Sequence, residues 1–178
     1  MEKKNLANKK DRPKYLVLKK WGNFEIRQYE PRVIAETRIQ NDFEQATKEG
    51  FNILAAYIFG QNATKSKIAM TAPVEQTEDL TQKNWLIAFS MPINYKITDL
   101  PSPKDPRILL KQIETQKRAA LAFSGFCTEK KATQNTRLLL ELIEQHGYSP
   151  TGPCILARYD PPWTIPCFRH NELLFVIH

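Results

Sequence analysis

Two amphipathic helical segments, each flanked by pairs of short strands, constrain the fold of this chain more than any other feature. The first segment covers residues 41 to 60, where Asp42 and Gln45 form a plausible capping box and Gly60 a stop signal. The second covers roughly 128 to 146. Apolar and small residues recur in both at spacings of three and four, so each helix has one face for a core.

The first helical face contains Gly50 near its centre. A glycine within an apolar helical stripe indicates that the backbone of the helix closely approaches a sheet. We therefore expect a branched side chain at this position to push the helix away from its neighbour.

Eight short segments around the helices have the composition of strands. Four belong to the first half and four to the second, and the Pro-rich stretch 92–106 joins the halves. The predicted strands are 24–29, 32–39, 68–76 and 85–91, then 108–114, 118–124, 154–159 and 173–177. The order strand–strand–helix–strand–strand occurs twice, which predicts an α+β fold built from a duplicated ββαββ unit with one core.

Length and composition are those of a single globular domain. The chain has 178 residues, of which 42% are hydrophobic and 25% charged. It contains no apolar run of about 18 residues and no signal-like N-terminal stretch. These features predict a cytoplasmic protein without a membrane span.

The positive charge of the chain is concentrated at its N-terminus. The formal net charge is +7, and residues 1–20 contain eight Lys or Arg and only two acidic residues. Residues 1–13 are predicted to be a flexible basic tail, and residues 14–178 the folded domain. Because the remainder is nearly neutral and has no zinc-finger or RNP motif, no nucleic-acid partner is predicted.

The cysteines and the known catalytic motifs indicate no metal site and no nucleophile. Cys127, Cys154 and Cys167 are far apart and form no CxxC pair, so buried free thiols are predicted. GxSxG and HExxH are absent from the sequence. No catalytic residue is therefore predicted.

The stretch 66–77, SKIAMTAPVEQT, alternates like a two-faced strand but contains Pro73. Proline cannot donate to a sheet ladder, so a bulge or an edge position at Pro73 is expected. Met70 is expected to fill an irregular gap in the core.

Three motifs together resemble the SOUL family of heme-binding proteins. They are FEIRQYEPRVIAET (24–37), KIAMTAPV (67–74) and YDPPWTIPCFRHNE (159–172), and the similarity extends over residues 15–178. The resemblance implies a distorted antiparallel β-barrel of about eight strands with two flanking helices. It also implies non-covalent binding of heme or another tetrapyrrole by a monomer that is a carrier or buffer rather than an enzyme.

The first helix and the last motif supply the candidate cofactor-binding residues. A porphyrin needs a flat apolar surface and a cationic group for its propionates. On the helix, Lys48, Phe51 and Ala55 form a stripe that the resemblance places opposite the 159–172 loop. The loop contributes Trp163, Phe168 and His170. The alternatives are an ordinary helix edge with a solvated lysine, and aromatic rings that fold back onto the core.

The sequence does not indicate a clear axial histidine for the iron. Gln28 occupies the position at which some relatives have been assigned an axial histidine, and an amide is a poor iron ligand. His170 is the best local candidate. His146 ends the second helix and is expected to contact its last carbonyl groups, while Asn171 and Glu172 are expected to lie in a turn.

Two other classes of function are compatible with the sequence. The first is a module that binds a different apolar molecule or a protein partner, as in the gyrase-inhibitor-like domains that the SOUL barrel resembles. The second is a hydrolase on that scaffold that uses Glu172 or Glu36 as a base.

Overall fold

The computed structural model describes residues 12–82 and 84–178. These residues form an antiparallel sheet and two helices. The strands are β1 (Tyr15–Trp21), β2 (Phe24–Tyr29), β3 (Arg32–Ile39), β4 (Val74–Asp79), β5 (Asn84–Ser90), β6 (Ile108–Ile113), β7 (Gln116–Ser124), β8 (Pro150–Arg158) and β9 (His170–Ile177). The helices are α1 (Phe43–Ile58) and α2 (Glu129–Gln145). The α+β prediction is confirmed.

The nine strands of the described chain form one sheet in the order β1-β2-β7-β9-β8-β4-β5-β3-β6. Strands β1 and β6 are its two edges, and the ladders of the described residues do not join them. The sheet is therefore open, and the barrel closure is not confirmed. The sequence prediction also missed β1, which adds a ninth strand outside β2.

The strand–strand–helix–strand–strand order occurs twice, from β2 to β5 and from β6 to β9. Without β1, the sheet order is β2-β7-β9-β8-β4-β5-β3-β6. If each strand of one set is replaced by its counterpart in the other set, the same order is obtained, read in the opposite direction. The first strand of each set pairs with a strand of the other set: β2 pairs with β7, and β6 pairs with β3. The origin of this pattern in a duplication stays a prediction.

Both helices begin and end where the capping signals predict. Asp42 Oδ1 accepts the backbone N–H groups of Glu44 and Gln45, at 3.1 and 2.8 Å. The Thr128 hydroxyl accepts the N–H of Lys131 at 3.3 Å. These side chains satisfy donors that the first turn of a helix cannot pair internally.

The two helices cover one face of the sheet. Phe43 of α1 lies in the same apolar cluster as Leu139 and Ile143 of α2. A Cβ atom added to Gly50 would lie 2.4 Å from Cγ1 of Ile87 on β5. The predicted close approach of α1 to the sheet is confirmed.

The segment before β4 differs from its prediction. Residues 67–73 belong to no strand, and β4 begins at Val74, so Pro73 precedes the ladder, where a missing N–H costs no bond. The Thr71 hydroxyl instead donates to the Ser90 carbonyl at 2.5 Å. Met70 is 40% exposed, so the prediction that it fills a core gap is wrong.

Most of the predicted N-terminal tail, residues 1–11, lies outside the described residues. Within the described part of the chain, neither helix is both long enough and apolar enough to cross a membrane.

Candidate functional site

The face of the sheet opposite the helices buries charged side chains. Successive residues of a strand point to opposite faces, so on β2 Ile26 joins the helix-side core while Glu25 and Arg27 point away from it. The same face contains further buried or partly buried polar groups from β3, β4, β7 and β9. They are Arg32, Glu75, Arg118 and Glu172.

Arg27 and Glu172 form the first ion cluster on this face. Two guanidinium nitrogens of Arg27 donate to the two carboxylate oxygens of Glu172, at 2.7 and 2.9 Å. The remaining nitrogen, Nε, donates to Glu25 at 2.7 Å. The hydroxyl of Tyr159 also donates to Glu172, at 2.7 Å. Both carboxylates are therefore paired, as buried charges require.

The second cluster contains Arg32, Glu75 and Arg118. Arg32 Nη2 lies 2.7 and 2.8 Å from the two oxygens of Glu75. Arg118 Nη1 donates to the same carboxylate at 3.2 Å. The Arg118 guanidinium also lies 5.0 Å from the ring centre of Tyr29, which separates the two clusters.

These contacts set the protonation of the buried carboxyl groups. Burial alone would raise the pKa of Glu172, but hydrogen bonds from His170, Arg27 and Tyr159 lower that pKa to about 2. Burial likewise opposes ionisation of Glu75, and the charges of its arginine partners still lower its pKa. A carboxylate with so low a pKa and with paired oxygens is a weak general base.

The other residue considered as a base, Glu36, is also paired. Lys111 Nζ donates to its Oε1 at 2.5 Å, from the neighbouring strand β6. Neither Glu172 nor Glu36 is therefore an unpaired base. Glu172 also lies within β9 rather than in the expected turn.

His170 begins β9 and is fixed on several sides. Its Nε2 lies 3.0 Å from Oε1 of Glu172, and its ring centre is 4.7 Å from that of Tyr159. Its backbone N–H donates to Asp160 at 2.6 Å. These contacts connect His170 to the first ion cluster, on the face opposite the helices, and engage its Nε2.

The loop between β8 and β9 presents two aromatic rings to solvent. Trp163 is 83% exposed and Phe168 74%. The loop is braced, because the Arg169 guanidinium donates to the Thr164 carbonyl at 2.8 Å and also to the carbonyl of Pro162. The rings do not fold back onto the core, so that alternative is wrong.

The α1 residues of the predicted cleft have different environments. Lys48 is exposed, whereas Ala55 is buried. Phe51 is half-buried and its ring packs edge-on against Phe89, with 5.4 Å between centres. The two sides of the predicted cleft therefore rest on different strands. Helix α1 packs on β3 and β5, whereas the short turn Pro166–Phe168 lies against β7.

A cavity of about 400 Å³ opens where the charged face ends. It lies between the segment before β1, the β2–β3 turn and the segment after β5. Its apolar walls are Pro13, Pro31, Val33, Met91, Pro92, Ile93, Tyr95 and Ile97, and its charged residues are Arg12, Lys14, Glu30, Arg32 and Lys96. A smaller space adjoins it through Arg12, Pro13 and Arg32, and reaches Glu172 and His170.

The ion clusters and the cavity were missed by the sequence predictions. The alternation of Glu25, Arg27 and Tyr29 within FEIRQY was the available signal, but such a pattern normally indicates a solvent-facing side of a strand. The cavity residues come from segments far apart in sequence, and no short motif connects them.

The predictions for His146 and for the three cysteines agree with the structure in part. His146 Nδ1 lies 2.8 Å from the Leu142 carbonyl, as expected at the end of a helix. All three cysteines are free thiols, and burial raises the pKa of Cys154 to about 11. Cys167 is exposed, so the expectation of burial is wrong for this thiol.

Comparison with known proteins identifies the family. The model of the SOUL heme-binding protein family matches residues 10–176. The chain belongs to the SOUL family. Heme-binding protein 1 of Xenopus laevis is 27% identical over 159 residues, covering 86% of this chain and 83% of that protein. Heme-binding protein 2 of Homo sapiens is 26% identical over 132 residues, covering 71% and 64%.

Solved structures share the fold of this SOUL chain. The crystal structure of the EcmrR C-terminal domain has a TM-score of 0.67 and 15% identity, and the alignment covers 87% of this chain and 96% of that domain. At this identity the likeness shows the fold alone.

Proposed function

We propose that this SOUL chain binds heme or another tetrapyrrole without a covalent bond, as a non-catalytic carrier or buffer. The site is a surface cleft bounded by Lys48, Phe51 and Ala55 on α1 and by the loop with Trp163 and Phe168. Family membership and the heme-binding relatives support the ligand class.

The exposure of Trp163 and Phe168 is the observation that carries the proposal. Large aromatic side chains are costly to leave in water, and an exposed apolar patch commonly marks a binding surface. Because Arg169 and the prolines brace the loop, it presents these rings without a large loss of conformational entropy on binding. A flat apolar ligand would cover them.

The residues present fit the porphyrin better than they fit its iron. The aromatic rings and Phe51 offer apolar surface, and the exposed ammonium of Lys48 suits a propionate. The His170 ring packs against Glu172 and Tyr159 on the face opposite α1, so the proposal gives His170 no contact with the iron and includes no side-chain ligand. Apolar burial, at about 25 cal/mol per Å², then provides most of the affinity.

Hemin titration followed by the Soret band tests this function. Trp163→Ala should weaken hemin binding at least severalfold, whereas Trp21→Ala removes a tryptophan on β1 and should leave binding unchanged. Lys48→Ala should have the smaller effect, since an exposed ion pair is worth about 0–1 kcal/mol. Equal affinities for Trp163→Ala and the parent would contradict the proposed site.

Metal-free protoporphyrin distinguishes apolar binding from iron ligation. It should bind about as tightly as hemin, and His170→Ala should leave the Soret spectrum of bound hemin unchanged. A marked preference for hemin would refute the ligand-free arrangement. Absence of binding by either porphyrin would favour the alternative of another apolar ligand or a protein partner.

A further inference from the structure

We propose that the cavity beside the charged face is a second binding site, which takes an amphipathic carboxylate with a linear apolar chain. The cavity volume of about 400 Å³ lies within the range of small-molecule pockets, roughly 300–1,000 Å³. This site is separate from the α1–loop cleft and does not depend on heme binding.

The apolar wall supplies the first requirement for such a ligand. Ile93 and Ile97 line the cavity and are 47% and 39% exposed, although both follow a strand that ends in the core. Met91 and Tyr95 extend the wall toward the interior. An apolar chain in the cavity would remove this surface from water.

The charges around the cavity supply the second requirement. Arg32 is already paired with Glu75, whereas within the described residues Arg12, Lys14 and Lys96 form no salt bridge. Glu30 is the carboxylate among the residues that line the cavity. Three cations against one carboxylate leave a positive excess that suits an anionic head group.

Arg12 provides an independent indication. Among the described residues its Nε atom is buried and has no hydrogen-bond partner. Its guanidinium lies 4.9 Å from the ring centre of Tyr159, which fixes it beside the smaller space. Arg12 therefore adds a guanidinium, without a salt bridge among the described residues, where the two spaces meet.

The neighbouring N-terminal sequence does not have the complementary charge. Residues 1–11 contain four lysines and two acidic residues, so their net charge has the same sign as the excess in the cavity. This comparison favours a separate anionic molecule as the occupant.

Calorimetric titration of the full chain with decanoate tests the proposal. Decanoate should bind, and decyltrimethylammonium, with the same chain length and the opposite charge, should bind at least about tenfold more weakly. Each methylene removed should weaken binding about fourfold, as expected for burial of the chain. Equal binding of the two amphiphiles, or no dependence on chain length, would overturn the proposal.

Charge-reversal variants locate the site. The double variant Lys14→Glu/Lys96→Glu should lose about tenfold in decanoate affinity. Lys104→Glu/Lys130→Glu makes the same change at exposed lysines outside the cavity and should bind like the parent. An equal loss in both variants would show a diffuse charge effect and no site, and urea unfolding of each variant establishes that it is folded.

Competition with hemin separates this inference from the proposed function. Decanoate affinity should be the same with and without excess hemin, and this result does not depend on whether hemin binds. A decrease in decanoate affinity in the presence of hemin would overturn the assignment of two separate sites.

Discussion

Ile26 and Arg27 are neighbours on β2 and are both almost completely buried, yet they lie on opposite faces of the sheet. Ile26 is 0% exposed and packs in the apolar cluster beneath the helices, whereas Arg27 is 4% exposed and pairs with Glu172 and Glu25. One face is stabilised by non-directional apolar burial, and the other depends on pairing geometry. We therefore expect the apolar face to tolerate changes of side-chain shape that the charged face does not tolerate.

Replacement of each neighbour by a similar apolar residue should reveal the largest difference. Arg27→Met leaves two carboxylates without their buried cation and should cost about 3–5 kcal/mol in the free energy of unfolding. Ile26→Leu keeps the apolar volume and should cost less than about 1.5 kcal/mol. Urea unfolding measures both, and similar costs would refute the distinction between the faces.

Acid should weaken the charged face selectively. The pKa of Glu172 in the folded protein, about 2, lies below its ordinary value of 4.5. Its stabilising contribution is therefore complete above about pH 4.5 and is lost as the pH falls toward 2. One pKa unit corresponds to about 1.4 kcal/mol, so the full contribution is about 3 kcal/mol.

Urea unfolding at pH 6 and pH 3 measures this contribution. The parent should lose about 2 kcal/mol more than Glu172→Gln between these pH values, because the amide cannot titrate. The same loss in parent and variant would assign the acid sensitivity to other carboxyl groups.

A larger side chain at position 50 should destabilise the apolar face. A Cβ atom at position 50 would meet Ile87 at 2.4 Å, so Gly50→Ala should destabilise by about 1–3 kcal/mol and Gly50→Leu by more. Asn52→Ala, at an exposed position of the same helix, should be neutral or slightly stabilising. Thermal unfolding of the three variants checks this, and a stable Gly50→Leu would mean that α1 does not approach β5.

Trp163 should have the smallest effect on stability. Because it is 83% exposed, Trp163→Ala should change the free energy of unfolding by less than about 0.5 kcal/mol. A larger loss would show that its ring packs on the protein, and would weaken its assignment to a ligand surface.

The sequence predicted the helix-side face well because its signals are local. Asp42, Gly50 and Thr128 each act through neighbouring backbone or through an element packed directly against them. The strand that begins at Val74 was predicted six residues too early because Ile68 and Met70 alternate like strand residues. Alternation alone cannot show where a ladder begins.

The charged face and the cavity depend on information that a single sequence lacks. Arg27 and Glu172 are 145 positions apart, and neither is distinguishable from a solvated surface residue before strand pairing is known. The exposure of Trp163 was left open in a different way, because the sequence allowed both a ligand-facing ring and a ring folded onto the core. Pairing across the whole chain, rather than local propensity, places these side chains.

The exchange of first strands between the two halves also affects how the chain is made. Strand β2 pairs with β7 across roughly 90 intervening residues, which take roughly 5–20 s to synthesise at about 5–20 residues per second. Until then β2 has only β1 as a partner, and its other edge is open to pairing with another chain. The β1–β2 hairpin is thus a part of the nascent protein that would benefit from a chaperone.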